Sequence, residues 1–342
     1  MIAERIKAAR KFRGYSQREL ARRAEVSYQA ISFYEKGINI PGESVLNKLA
    51  EATGFSVAWF ETELLIKEDD LKLAFRKKAS LTKGKYQQII YKVIDWLERY
   101  IMVESLFPDR KINDILPYGK WHIEKIADVE SIAIELRKEW NLGLGPISSL
   151  VDVLEDKGIK ICLIDMDKAF DACTFKYKDS AAIVLNKNIS YSRELFNILH
   201  ELCHLLFCIN HTLDKEKVAH RFAGSFLVPE AIVKSEVGRF CKDISLTELY
   251  YLKKKYGLSM AAWIYRLKDL EIIDTTIYRR LCIKMSKKGY RQEEPGDKEI
   301  AIEQPKRLER LVYKALGENL MTISTAADLL GIEEKIIKKY IM

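Results

Sequence analysis

The chain has 342 residues, 48% of them apolar and 31% charged, with a net charge of +8. That length predicts about two or three compact units, and the composition excludes a disordered or membrane-embedded chain. The longest apolar runs, 205–209 and 181–185, fall far short of the ~20 residues of a spanning helix. The first residues show no basic stub followed by an apolar run, and the six cysteines form no C-x-x-C pair. A cytoplasmic protein with reduced thiols and no membrane partner is expected.

The first sixty residues are densely punctuated. Ile2, Ile6 and Ala9 set one apolar helical face that Gly14 stops, and Ser16 with Glu19 reads as a capping box opening a second helix through Ala24. Ser27 caps a third helix to Lys36, Pro41 precedes a fourth over about 44–53 closed by Gly54, and 57–60 forms a last short turn. Residues 1–24 hold eight Lys or Arg against Glu4 and Glu19, a concentration of basic charge that suits a phosphate backbone. The spacing of the second and third helices is that of a helix-turn-helix, which lays the third in a major groove of double-stranded DNA. Its groove-facing residues are Ser27, Tyr28, Gln29 and Ser32, with Gln29 able to bond adenine bidentately, while Gln17 and Arg18 meet phosphates. The run SQRELARRAEVSYQAISFYEKGINIP resembles the XRE-type (Cro-like) helix-turn-helix family over about residues 3–60. Such modules also serve in protein contacts, which leaves a homodimer open.

Residues 61–125 read as helical and charged. The longest periodic run, 81–107, places Ile89, Val93, Trp96, Leu97, Tyr100 and Ile101 on one face. Helices follow over 129–142 and 147–157, then strands over 159–165, about 173–177 and 181–186, the last bounded by Asp179 and Asn186. A small sheet on helices therefore precedes the run HELCH at 200–204.

In an α-helix, residues four apart share a face, so His200 and His204 can ligate one ion while Glu201 stands beside the remaining position as general base. Zinc is the natural metal. Five histidines in 342 residues make a chance H-[DE]-x-x-H rare, with roughly 0.01 expected. Leu195, Leu199, Leu202 and Leu206 form an apolar stripe beside the ligand face, and Phe196 lies one turn before His200. The segment 214–229 reads as a second helix on which Glu216 and His220 share a face. Glu216 is the favoured third ligand with His220 supporting it, and the reverse assignment remains open. For the oxyanion the candidates are His211, Tyr191 and Arg193. The strand 181–186 is a candidate edge for pairing with an extended substrate.

The residues Asn186, Arg193, Phe196, His200, Glu201, His204, Glu216, Ala219, Phe222, Ala223 and Pro229 match a pattern that resembles the ImmA/IrrE metallopeptidase family, over about residues 125–290. The resemblance implies a zinc endopeptidase that cleaves a helix-turn-helix repressor or antitoxin. Two positions depart from the pattern: Cys203 replaces a Gly and reads as packing, and His220 replaces an Asn or Asp. Farther on, helices are expected over 245–257 and 259–273, a linker or extended strap over 289–306, and short helices over 307–316, 324–330 and 333–341, part of which resembles half of a helix-turn-helix.

The expected fold is mainly α with a small β-sheet (α+β). It comprises a five-helix helix-turn-helix domain at 1–62, a helical connector at 63–124, a zincin-like metallopeptidase domain at 125–290, and a linker with a small helical region at 291–342. The competing functional reading is a DNA-binding regulator or antitoxin whose zinc fold cuts nothing.

Overall fold

The computed structural model describes residues 1–74, 81–108, 119–167, 169–178 and 180–341. Asp179 and parts of the connector, 75–80 and 109–118, lie outside the described residues. Five helices come first: α1 (Ile2–Arg13), α2 (Gln17–Arg23), α3 (Tyr28–Glu35), α4 (Glu43–Thr53) and α5 (Val57–Glu61). A short strand β1 (Lys72–Ala74) precedes the long α6 (Lys83–Ser105). Then follow β2 (Trp121–Ile123), α7 (Asp128–Glu139), α8 (Leu150–Asp156), β3 (Lys160–Ile164), β4 (Ala172–Tyr177), β5 (Ser180–Asn186), α9 (Tyr191–Leu206), β6 (Phe207–Ile209), α10 (Lys215–Leu227), α11 (Glu230–Val237), α12 (Leu246–Tyr256), α13 (Met260–Asp269) and α14 (Thr275–Lys287). The chain ends in α15 (Arg307–Gly317), α16 (Ile323–Leu330) and α17 (Glu334–Ile341). The α+β class is the observed one. The expectation of helix throughout residues 61–125 is corrected by the strands β1 and β2, while β6, α11 and α14 carried none.

The contacts divide the chain into two compact units, and each is built from segments distant in sequence. Residues 1–72, 76–111 and 306–342 form the first, and residues 73–75 and 112–305 the second.

In the first unit, Ile6, Ala9, Leu20, Ile31, Leu49 and Phe60 are fully or almost fully buried and form the core under α1–α5. The Ser16, Ser27 and Ser56 hydroxyls each accept a backbone N–H three residues on, satisfying the open donors of α2, α3 and α5. The expected capping box is half formed, because the Glu19 carboxylate turns instead to Arg22 and Arg23. Glu98 on α6 takes Arg5 of α1 at 2.7 Å, both buried, and the Leu65 amide at 2.6 Å. α15 packs on α6, and Lys314 sits 5.0 Å from the centre of the Phe107 ring.

The concentration of basic charge at the N-terminus is smaller in space than in sequence. Arg5 and Arg10 are buried and paired with Glu98 and Glu35, and Arg22 and Arg23 share Glu19. The buried Arg5 and Arg10 pairs hold helices together and offer nothing to a phosphate, whereas Arg22 and Arg23 pair with Glu19 on the exposed surface of α2.

The second unit carries a sheet of order β1-β4-β5-β3. β3 runs parallel to β5, from Lys160 opposite Ala182 to Ile164 opposite Asn186, and β4 returns antiparallel, from Ala172 opposite Leu185 to Tyr177 opposite Ser180. This arrangement corrects the expectation of an open edge at 181–186, since β5 is paired on both sides. Its residues 181–186 are also buried without alternation, as in a strand covered on both faces. A second, two-stranded ladder joins β2 to β6 in parallel, with Trp121 against Phe207.

The segment 289–305 is a strap that closes helix ends. The Glu294 carboxylate accepts the Met260 and Ala261 amides at the start of α13, at 2.8 and 2.9 Å, and is paired with Lys253. Glu303 accepts the Val151 and Leu150 amides at the start of α8, at 2.7 and 3.2 Å. Negative charge at a helix start meets both the open N–H groups and the positive end of the dipole. Among the described residues no helix is long and apolar enough to cross a membrane.

Candidate metal centre

Helix α9 follows β5 closely and packs on β4, β5 and α10, with Leu195, Ile198, Leu199, Leu202, Cys203 and Leu206 buried. The predicted leucine stripe is therefore the face that seats the helix. At the junction, the buried Asn186 side chain donates to the carbonyls of Asp167 and Phe170, at 2.9 Å each, and accepts the Met166 amide. It fixes the loop between β3 and β4.

Opposite α9, α10 is capped by Asp214, whose carboxylate accepts the Glu216 amide at 3.0 Å and the Lys217 amide at 3.4 Å. The cap sets Glu216 in the first turn, and buried Val218, Ala219, Phe222 and Ala223 seat the helix on α9 and α7. Three side chains meet across this helix pair. His200 Nε2 and His204 Nε2 lie 3.3 Å apart, and Glu216 approaches them at 3.4 and 3.2 Å. Four-coordinate zinc with bonds of 2.0–2.1 Å places neighbouring ligand atoms about 3.3 Å apart, from the tetrahedral angle. Two imidazoles and one carboxylate at that spacing fit such an ion. All three groups are half-buried, which leaves one side approachable.

Glu201 is half-buried on the same helix. After burial itself, its charge is the next largest cause that pushes the Cys173 thiol on β4 well above its ordinary pKa. Cys203 is likewise raised, by burial first and then by Glu216 and Glu201. Both thiols are buried outside the convergent group, in keeping with Cys203 as packing.

Residues 6–60 match the helix-turn-helix family model, and residues 154–268 match that of the IrrE N-terminal-like domain. The chain joins these two domains. No curated protein matches it. The first domain is of a DNA-binding kind, and the IrrE N-terminal-like domain is of a metallopeptidase type that commonly holds zinc. His200, His204 and Glu216 all fall within the matched stretch.

Around the centre, the remaining site residues separate. His220 lies outside the convergent group, with its ring 5.0 Å from that of His200 and 5.7 Å from that of Phe196. Of the oxyanion candidates, the Tyr191 hydroxyl donates to Glu303 at 3.3 Å and Arg193 pairs with Asp171 at 2.8 Å, while His211 is exposed in the turn after β6. In the helix-turn-helix domain, Ser27, Tyr28 and Gln29 are exposed at the start of α3 and Ser32 is half-buried. Arg18 is exposed with its guanidinium 5.7 Å from the Tyr28 ring. The Gln17 amide instead donates to Glu35 at 2.7 Å, which spends it inside the domain.

Sequence reasoning missed Glu303 and Glu194. The strap's Glu303 amide donates to the Glu194 carboxylate at 2.9 Å, at the start of the metal-site helix. A glutamate in a polar strap carries no periodic signal of its own, so only the folded chain reveals the contact.

Proposed function

We propose that this chain is a zinc-dependent endopeptidase with its own DNA-binding domain, cleaving a partner protein of the helix-turn-helix repressor or antitoxin class in the cytoplasm and so regulating transcription. The observation that carries the reading is the convergence of His200, His204 and Glu216 at the spacing of a tetrahedral ion, with Glu201 next to the first ligand. When bound in such a site, zinc supplies Lewis acidity and lowers the pKa of water to about 7. Glu201 is assigned the proton: its carboxylate takes it from the attacking water and returns it to the leaving amine. His220, ring against ring with His200, is assigned to hold that imidazole in place. Gln29 at the exposed start of α3 is assigned to adenine readout, with Ser27, Tyr28 and Ser32 along the same groove and Arg18 on a phosphate. Gln17 is given no phosphate.

The test is co-expression of the chain, or its Glu201→Gln variant, with helix-turn-helix repressors and antitoxins encoded beside it. Wild type should produce a fragment that disappears with chelator and with Glu201→Gln, while both proteins retain zinc. If neither cuts any partner while operator binding persists, the chain is a DNA-binding regulator with a zinc-fold sensor.

A further inference from the structure

Between α10 and α13, with Phe196 of α9 on its wall, lies a cavity of about 150 Å³ whose lining includes His220, the ring 5.0 Å from that of His200. Phe196 and His220 form its near wall, one turn before His200 on α9 and one turn after Glu216 on α10. Gly224 is among its lining residues, and Ala262 and Tyr265 of α13 form the far wall. The cavity thus borders the convergent group through His220 and Phe196. Its size is about that of a cavity that admits a benzene ring.

Charged groups lie in the lining but cancel one another. Arg266 grips Glu130 with both terminal nitrogens, at 2.5 and 2.7 Å, and Arg221 bridges Glu130 and Asp269 at 3.2 and 3.3 Å. A charged guest would have to break these pairs or enter unpaired, and an uncharged one need not. Gly224 keeps the lining open: a Cβ there would stand 3.3 Å from Arg266 Cδ, against the guanidinium arm that Glu130 holds.

We propose that this cavity is a specificity pocket that receives one large uncharged side chain, aromatic or long aliphatic, of the residue flanking the bond to be cut. The proposal rests on the metal-dependent peptidase reading, because the metal fixes the substrate backbone beside the cavity mouth. Ala262 and Tyr265 set the preference. Ala262 leaves the depth, and Tyr265 supplies a ring face at the rim.

Amino-acid hydroxamates test this without catalysis, since the hydroxamate anchors to the metal and the side chain explores the neighbouring space. On zinc-loaded full-length protein, phenylalanine hydroxamate should bind at least about tenfold tighter than glycine hydroxamate, the usual scale for filling an apolar pocket. Lysine and glutamate hydroxamates should gain nothing over glycine. Ala262→Trp should bring the phenylalanine preference within about twofold while glycine hydroxamate and zinc bind as before. Tyr265→Ala, at a half-exposed position, should lower the preference several-fold without a folding cost. Equal binding of phenylalanine and glycine hydroxamates overturns the pocket, as does a preference that survives both substitutions. If the preference holds but no peptide is cut, the pocket stands and proteolysis falls. If no hydroxamate binds, the metal reading falls and takes the pocket with it.

Discussion

At the scale of single residues, the pairing of His200 with His204 was legible because helical geometry is local. Two histidines four apart must share a face, so HELCH alone set two members of the convergent group, and Asp214 set the turn that delivers the third. Cys203 was likewise legible, since on a helix it lies off the face that His200 and His204 share, and it is buried. What sequence could not give is partnership at long range. Glu194 is buried on α9 and receives the Glu303 amide, and burial followed by the nearby Glu303 charge pushes its carboxyl up to about 8 from 4.5, against the lowering by that amide bond. The folded chain therefore holds a proton between those values that the unfolded chain releases. Stability from this group is full below about pH 4.5 and falls as pH rises toward 8, by on the order of a few kcal/mol. Glu194→Gln should flatten that slope and make the protein more stable than wild type above pH 8. Urea unfolding at pH 5.5 and 8.5 checks it, and an unchanged slope in the variant would mean that Glu194 is not the group responsible.

At the scale of elements, helices with clear punctuation were read almost to the residue. α1 ends at Gly14 with φ 75°, and α4 ends at Gly54 with φ 70°, left-handed turns that glycine enters without strain. Strands of three residues were not read, because β2 and β6 are too short to show a period and exist by pairing with each other. The edge assignment of β5 failed for a reason present in its own composition: 181–186 is continuously apolar, and alternation is what marks a strand with one open face. The strap was read only as polar chain, yet its carboxylates close two helices. Glu303→Ala would leave the Leu150 and Val151 amides of α8 and the Ser149 hydroxyl without this acceptor, at about 1–3 kcal/mol. Thermal melting should show that loss, whereas Gln304→Ala next to it should cost nothing measurable. In α3, Gln29→Ala should weaken a preferred operator by about 1–3 kcal/mol and relax the preference at one base pair. Gln17→Ala should act differently, lowering stability through Glu35 and leaving the sequence preference intact. Binding to permuted operators by anisotropy separates the two.

At the scale of the whole molecule, the two units close through segments far apart in sequence, and this governs how the chain should respond to zinc and to shortening. The first unit draws in α15–α17, where Arg99 of α6 donates to the Leu329 carbonyl at 3.2 Å and α15 lies on α6. All three convergent residues sit in the second unit. An ion that binds only the folded site stabilises by mass action, about 2.7 kcal/mol at a hundredfold excess over its dissociation constant. Zinc should therefore raise the unfolding temperature of the second unit alone, and His204→Ala should abolish the rise. Deleting residues 306–342 strips α6 of its α15 contact and should lower the transition of the first unit while leaving the zinc-dependent rise of the second intact. Differential scanning calorimetry of wild type, His204→Ala and the shortened chain, each with zinc and with chelator, separates the two transitions. A zinc response lost on shortening would mean that the units unfold as one, and the metal site would then depend on helices more than a hundred residues beyond its own motif.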